Sequence, residues 1–275
     1  MAKRAGGRWL LRIDDLDAPR QIAGMADDIM RTLESFGLFW DGEVARQSMN
    51  LERYRQAFEM LQHKDLLYPC GCSRKEIALA ASAPHPDGDC VAYNGSCRAG
   101  MKSGATVRSW RIIVPESEIC FCDLRRGCIC QDLAGVCGDF ALRRGDADYL
   151  YQLAVVVDDD LAGVTQVVRG DDLLSSTPRQ IYLQRMLGLP QPEYCHLPLV
   201  TEPGGSKLSK RDNLVSLQPG DLKGNESALL LAVLRFLGQN PPADLAGSGC
   251  QDVLEWGVSC FDTALIPMEG GVLSV

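Results

Sequence analysis

Lys207 and Lys210 stand three residues apart in the stretch KLSKR, directly behind Gly204, Gly205 and Ser206. A lysine ammonium is a compact point charge on a flexible stem, so two of them in a glycine-led loop suit a shifting polyanion such as a chain of phosphates. Three consecutive acids, Asp158, Asp159 and Asp160, end one apolar run, and Arg169 followed by Asp171 and Asp172 ends another. The second end repeats the acidic arrangement of the first and brings an arginine beside the acids.

Cysteine supplies a second kind of chemistry. Cys70 and Cys72 are followed by a segment with Pro84, Pro86 and Gly88, and then by Cys90, Tyr93 and Cys97. That segment is too polar to own a core, and soft thiolates gathered by such a return favour zinc over magnesium or calcium. By spacing alone, Cys90 is the natural fourth ligand beside Cys70, Cys72 and Cys97. Two more pairs, Cys120 with Cys122 and Cys128 with Cys130, each fall on one face of a strand through alternation. They could form a further thiolate site. A hairpin has few loops with which to complete a cage, however, so we expect these four to be small buried residues.

These groups need elements to position them. The continuous apolar runs at 153–157 and 164–168 read as strands covered on both faces, as in a parallel sheet flanked by helices. Their polar ends would then lie at the crevice where open α/β sheets bind ligands. Residues 7–13 read as a strand leading into an acidic turn at Asp14, Asp15 and Asp17. Ile22, Met25, Ile29, Leu33 and Phe36 predict a helix over 23–36, stopped at Gly37. Tyr54, Phe58 and Leu61 predict another over 51–63. Short strands fill 106–130 with a turn at 123–127. A helix at 177–187 carries Pro178 in its first turn, and a short strand at 195–200 and an apolar helix at 228–237 follow. Strands alternating with helices give an α/β domain. No glycine-rich phosphate loop of Walker or dinucleotide type is present.

With 275 residues, 46% hydrophobic and 23% charged, the chain can build a sizeable core as one large domain or a main domain with insertions. No apolar run approaches the length of a membrane span, and no signal-peptide core follows Met1, so a cytoplasmic protein is expected. A net charge of −8 argues against non-specific nucleic-acid binding over the whole surface. Local basic patches at Arg125 and Arg126 or at Arg143 and Arg144 remain open. Twelve cysteines in such a chain point to metal or buried thiols rather than to disulfides.

The stretches GRWLLRIDDLDAPR, CGC with YNGSC, GDFALRRGDADYLYQLAVVVDDDLAGVTQVVRGDDLL, HLPLV and KLSKR occur in this order along nearly the whole chain. Together they resemble the class I aminoacyl-tRNA synthetases, and within them the glutamyl-queuosine tRNA(Asp) synthetases, relatives of glutamyl-tRNA synthetase without its anticodon-binding domain. The resemblance implies a Rossmann-like parallel sheet with a zinc-binding insertion and a small helical C-terminal region. It divides the chain into catalytic segments at 1–69 and 99–190, an insertion at 70–98, and the KLSKR loop with helices at 191–275. It implies that ATP, with Mg2+, and L-glutamate form glutamyl-adenylate. The glutamyl group then passes to a hydroxyl of queuosine in the tRNA(Asp) anticodon. KLSKR matches the family's KMSKS loop, so Lys207 and Lys210 would be catalytic and Lys210 would also bind ATP. Asp14, where relatives usually carry glutamate, would hold the substrate ammonium, and Tyr151 and Arg169 would bind glutamate. Cys70, Cys72, Tyr93 and Cys97 match a zinc site in which tyrosine takes the place of the fourth thiolate, instead of Cys90. A monomer without membrane contact is expected.

The family's first strand and HIGH-type motif would lie before Met1. On this reading the chain is truncated at its N-terminus and nearly inactive as it stands. Alternatives are the catalytic piece of a glutamyl-tRNA synthetase and a catalytically inactive zinc-containing RNA-binding relative.

Overall fold

The computed structural model describes residues 1–17, 21–73, 75–77, 92–145, 148–202 and 224–274. Strand β1 (Arg12–Ile13) pairs in parallel with β2 (Ala45–Arg46), and helix α1 (Met25–Ser35) forms the crossover between them. The strand expected over 7–13 is thus limited to its last two residues. Helix α1 stops before Gly37, whose φ of 73° lies in the left-handed region that favours glycine. Helix α2 (Leu51–His63) buries Tyr54, Ala57, Phe58 and Leu61, the face its apolar spacing predicts.

Two larger sheets follow. Strands β3 (Leu67–Cys70), β4 (Ser109–Ile112) and β7 (Ala141–Arg144) form an antiparallel sheet in the order β3-β4-β7. Strands β5 (Glu118–Asp123), β6 (Gly127–Asp132), β8 (Gln166–Gly170) and β9 (Glu193–Leu197) form the other, in the order β6-β5-β9-β8. In it β5 and β6 make an antiparallel hairpin, whereas β9 runs parallel to both β5 and β8. The three-stranded sheet is antiparallel and the four-stranded one is mixed, which corrects the expectation of a parallel sheet. The connections explain it. A tight turn joins only antiparallel strands, while the crossover through helix α5 (Thr177–Leu187) permits parallel β8 and β9.

The run at 153–157 is also corrected, because it folds as a helix. After the short α3 (Leu133–Val136), helix α4 (Tyr151–Leu161) packs against both α2 and α5. Leu153, Ala154, Val155, Val156, Val157 and Asp158 are all buried. A helix covered on every side shows no amphipathic period, so its sequence has the signature of a buried strand. Each fully buried valine or leucine contributes about 1.5–3 kcal/mol, enough to override the modest helix reluctance of three valines. The expected helices at 177–187 and 228–237 are present as α5 and α6 (Glu226–Phe236), and α7 (Cys250–Cys260) follows.

The main core joins Tyr54, Phe58 and Leu61 of α2 to Ile112, Phe121, Leu142, Leu153, Ile181 and Tyr194. Tyr68, Cys70, Tyr93 and Cys97 form a separate small cluster.

Candidate active site and metal centre

The acids Asp158 and Asp159 lie in the last turn of α4, where the helix dipole already places partial negative charge. Carboxylates there need partners. Buried Asp158 accepts hydrogen bonds from Gln47 Nε2 at 3.0 Å, from Asn50 Nδ2 at 2.8 Å and from the Tyr54 hydroxyl at 2.8 Å. It ties α2 and the turn before it to α4. Asp159 accepts from Arg12 Nη1 at 2.6 Å, and Arg12 Nε donates to Asp14 at 2.7 Å. Burial raises the pKa of Asp159, against the pull of Arg12 and Arg169. Arg12 thereby clamps the end of β1 onto α4 and orients Asp14.

Arg169 projects from β8 toward β9. Its Nε donates to His196 Nε2 at 3.1 Å, and its Nη2 donates to the Thr177 hydroxyl at 2.8 Å. The guanidinium carbon sits 5.5 Å from the centre of the Tyr194 ring. Because an arginine can only donate, His196 Nε2 carries a lone pair and Nδ1 carries the proton. That N–H donates to Asp123 Oδ2 at 2.7 Å, and the backbone N–H of His196 reaches the same oxygen at 3.1 Å. Burial lowers the pKa of His196, which keeps the imidazole neutral in spite of Asp123. The guanidinium is thus held by the neutral acceptors His196 and Thr177, which do not offset its positive charge.

The turn after Asp123 is fixed as well. Arg125 Nη2 donates to Asp171 at 2.5 Å, and Arg126 donates to the same carboxylate. Asp171 is held below the usual carboxylate range, the two arginines outweighing the cost of burial. Arg143 lies over the Phe58 ring at 4.6 Å, and Arg144 pairs with Asp148 at 3.4 Å and Asp17 at 3.6 Å. Neither arginine pair is therefore the free basic patch its composition suggested.

Of the expected substrate residues, Asp14 sits at the end of β1, Tyr151 is the half-exposed first residue of α4, and Arg169 lies on β8. Arg12 links Asp14 to Asp159 through its Nε and Nη1. Lys207 and Lys210 fall outside the described residues. Arg12, Asp123 and His196 were not singled out by sequence reasoning. The one signal each offered was a charged or polar side chain inside an apolar stretch.

At the far end of β3 the cysteine cluster converges. Cys72 Sγ lies 3.6 Å from Cys97 Sγ, and the sulfurs of Cys70, Cys72 and Cys97 lie within 4.8 Å of one another. The Tyr93 hydroxyl lies 3.4 Å from Cys70 Sγ and 3.6 Å from Cys72 Sγ. Four thiolates at tetrahedral zinc would stand about 3.8 Å apart, so three sulfurs and a phenol oxygen at these separations fit the ion. Burial opposes ionisation of Cys70, but the Tyr93 hydroxyl, the Cys72 backbone N–H and Arg111 outweigh it and bring the thiol down to about 7. The Arg111 guanidinium stacks 4.0 Å above the Tyr93 ring. Fully buried Asp139 braces the cluster by accepting from Tyr68 and, at 2.6 Å on each oxygen, from Arg98. At Gly138 a Cβ would come within 2.1 Å of the Tyr93 carbonyl oxygen, so only glycine allows this approach. Cys90 lies outside the described residues.

The remaining cysteine pairs depart from expectation. Cys120, Cys122, Cys128 and Cys130 are exposed, and they pair as Cys120–Cys130 and Cys122–Cys128 disulfides. Alternation along β5 turns Ile119, Phe121 and Asp123 inward, which leaves the cysteines on the outer face.

The family described as "tRNA synthetases class I (E and Q), catalytic domain" matches residues 1–246. The glutamyl-Q tRNA(Asp) synthetase of Geobacter sulfurreducens is 54% identical over 268 residues, which cover 97% of this chain and 85% of that protein. The protein of that name from Dechloromonas aromatica is 45% identical, covering 99% of this chain and 89% of its own. A glutamate tRNA ligase from Elizabethkingia meningosepticum superposes with a TM-score of 0.77 at 25% identity, and this chain spans 62% of its length. A glutamate-tRNA synthetase from Elizabethkingia anophelis, at 24% identity and a TM-score of 0.79, shares the fold. The chain has the class I synthetase catalytic fold, α/β with mixed sheets, and belongs to the class I tRNA synthetases for glutamate and glutamine, among them to the glutamyl-Q tRNA(Asp) synthetase family.

Proposed function

We propose that this chain activates L-glutamate with ATP and esterifies the glutamyl group onto queuosine of tRNA(Asp). The observation that carries the reading is 54% identity to a glutamyl-Q tRNA(Asp) synthetase along nearly the whole chain. In the first step a glutamate α-carboxylate oxygen attacks the α-phosphorus of ATP, and pyrophosphate leaves. In the second a queuosine hydroxyl attacks the acyl carbon of the adenylate, and AMP leaves. Both steps create charge on phosphate oxygens, and Lys207 and Lys210 are the residues assigned to it.

Arg169 takes the glutamate side-chain carboxylate, helped by Tyr151, while Asp14 faces the ammonium. The support is Arg169's anchorage to His196 and Thr177, which leaves it cationic and fixed, and the orientation of Asp14 by Arg12. A preset guanidinium loses little freedom on binding, which favours affinity.

A structural zinc held by Cys70, Cys72, Tyr93 and Cys97 would cross-link the end of β3 to the loop that returns at Tyr93. Metal binding there is folding energy for a segment without a core. Mg2+ enters with ATP. The same reading places the protein in the cytoplasm, and no described helix is long and apolar enough to cross a membrane.

The test is a charging assay with radiolabelled glutamate on queuosine-containing tRNA(Asp), on tRNA(Asp) lacking queuosine, and on tRNA(Glu). Only the first should accept glutamate. Efficient charging of tRNA(Glu) would replace this reading with that of a glutamyl-tRNA synthetase.

A further inference from the structure

We propose that the β5–β6 hairpin is a thiol–disulfide exchange site, in which Cys120 with Cys130 and Cys122 with Cys128 form two reversible couples that react with low-molecular-weight thiols and disulfides. Register is the first support. Cys120 lies directly opposite Cys130 and Cys122 directly opposite Cys128, with Phe121 and Ile129 between them. Residues facing each other across an antiparallel pair alternate between wide and narrow sites, and the narrow ones, where no ladder bonds are exchanged, have Cα atoms about 4.5 Å apart. The two cysteine pairs, at Cα separations of 4.0 and 4.1 Å, occupy narrow sites. The ladder holds each pair of sulfurs together whether or not they are bonded, so closure is an intramolecular step between oriented groups.

Accessibility is the second support. All four cysteines are exposed, so a small thiol or disulfide reaches them without any opening of the fold. Most of the other described thiols are less accessible. Cys137 and Cys195 are buried, and burial pushes the Cys195 thiol up to about 11. Cys70, Cys72 and Cys97 are committed to their own cluster. Cys260 is exposed and unpaired.

A four-thiolate metal cage fits this face less well. Among the described residues, the ligand group that includes Cys120 and Cys130 is completed by Glu118, and Cys122 and Cys128 lie outside it.

The chemistry balances as two displacements. The thiolate of one cysteine attacks a small disulfide R′SSR′, forming a protein–S–S–R′ bond and releasing R′S⁻. The facing thiolate then attacks the protein sulfur of that bond, closes the cross-strand disulfide and releases a second R′S⁻. The protein dithiol loses two electrons, the small disulfide gains them, and the two thiol protons pass to the released thiolates. Excess R′SH runs the sequence backwards.

The test uses the whole zinc-loaded chain, equilibrated in buffers of graded thiol-to-disulfide ratio. Native alkylation and peptide mass spectrometry then follow. Cys120 with Cys130, and Cys122 with Cys128, should leave the alkylated pool in pairs as the buffer becomes oxidising and return on reduction. Cys260 serves as the open control and Cys195 as the closed one. C120S should trap the small thiol on Cys130 as a stable mixed disulfide, because the resolving partner is gone. The proposal is overturned if all four cysteines remain as alkylable as Cys260 in every buffer. It is equally overturned if they stay protected under full reduction and become reactive only as a second equivalent of zinc is chelated away. Neither readout depends on charging activity.

Discussion

The Nδ1–H of His196 donates to the carboxylate of Asp123 across 2.7 Å, and both side chains are fully buried. The pair joins the end of β5 to β9 and fixes the imidazole so that its other nitrogen accepts from Arg169. Burial lowers the pKa of His196 below its ordinary value of 6.5. The unfolded chain therefore binds this proton at higher pH than the folded chain does. Stability from this group is fully present above about pH 6.5 and is lost as the pH falls from there toward the folded value. Thermal unfolding of the parent should show this loss, and His196→Gln, which cannot titrate, should flatten it. Equal slopes for both proteins would rule out the buried imidazole as the cause.

Arg169→Ala should raise the glutamate requirement in pyrophosphate exchange by about 2–5 kcal/mol of binding, because a carboxylate is left without its charged partner. The KM for ATP should change little. Arg169→Lys should not rescue, since an ammonium cannot bond His196, Thr177 and a carboxylate with one planar fork. Thr177→Val should give a smaller increase, about 1 kcal/mol, through the lost hydrogen bond at 2.8 Å. A rise in KM for ATP equal to that for glutamate would show that Arg169 serves the nucleotide instead.

Asp158→Ala would leave three buried or half-buried donors, on Gln47, Asn50 and Tyr54, without their acceptor. Each unpaired group costs about 1–3 kcal/mol, so a loss of at least about 3 kcal/mol is expected in urea unfolding. Arg12→Ala should cost about 2–4 kcal/mol by stranding Asp159 in a partly buried site. Adding Asp159→Asn to it should recover part of that loss. Strict additivity in this pair would mean that the 2.6 Å contact carries no coupling.

The sequence made some of this legible and hid the rest for physical reasons. Helices α2 and α5 were readable because each presents a local signal, the spacing of Tyr54, Phe58 and Leu61 in one and Pro178 at the start of the other. Helix α4 was not, because burial on all sides erases the period that distinguishes it from a strand. The grouping of Cys70, Cys72 and Cys97 was readable from spacing, which pointed to Cys90 as the fourth member, whereas Tyr93 came only from the family resemblance. The Asp123–His196 and Arg12–Asp159 pairs were not, because 73 and 147 residues separate the partners. Strand alternation in the β5–β6 hairpin was legible, but which face would be outward was not, as cysteine is equally at home on either.

The proposed metal centre offers the most direct stoichiometric prediction. Purified protein should carry one zinc per chain, and Cys97→Ser should lose it, because Cys97 Sγ packs 3.6 Å from Cys72 Sγ at the centre of the cluster. Cys90→Ser should retain it. Tyr93→Phe is the discriminating variant. Its hydroxyl contacts Cys70 and Cys72 and also accepts from the backbone N–H of Cys97 at 3.0 Å. If that oxygen is a ligand, its removal leaves a three-thiolate site open to water, and zinc affinity measured by chelator competition should fall by far more than the roughly 10–100-fold expected for an outer contact. If the oxygen only orients the thiols, the loss should stay within that range and stoichiometry should be unchanged. In either case zinc removal should increase hydrogen exchange in β3 and around Tyr93 while leaving α4 and α5 protected, since the cluster is separate from the main core. Uniform exchange across the whole chain after chelation would show instead that the metal supports the fold globally.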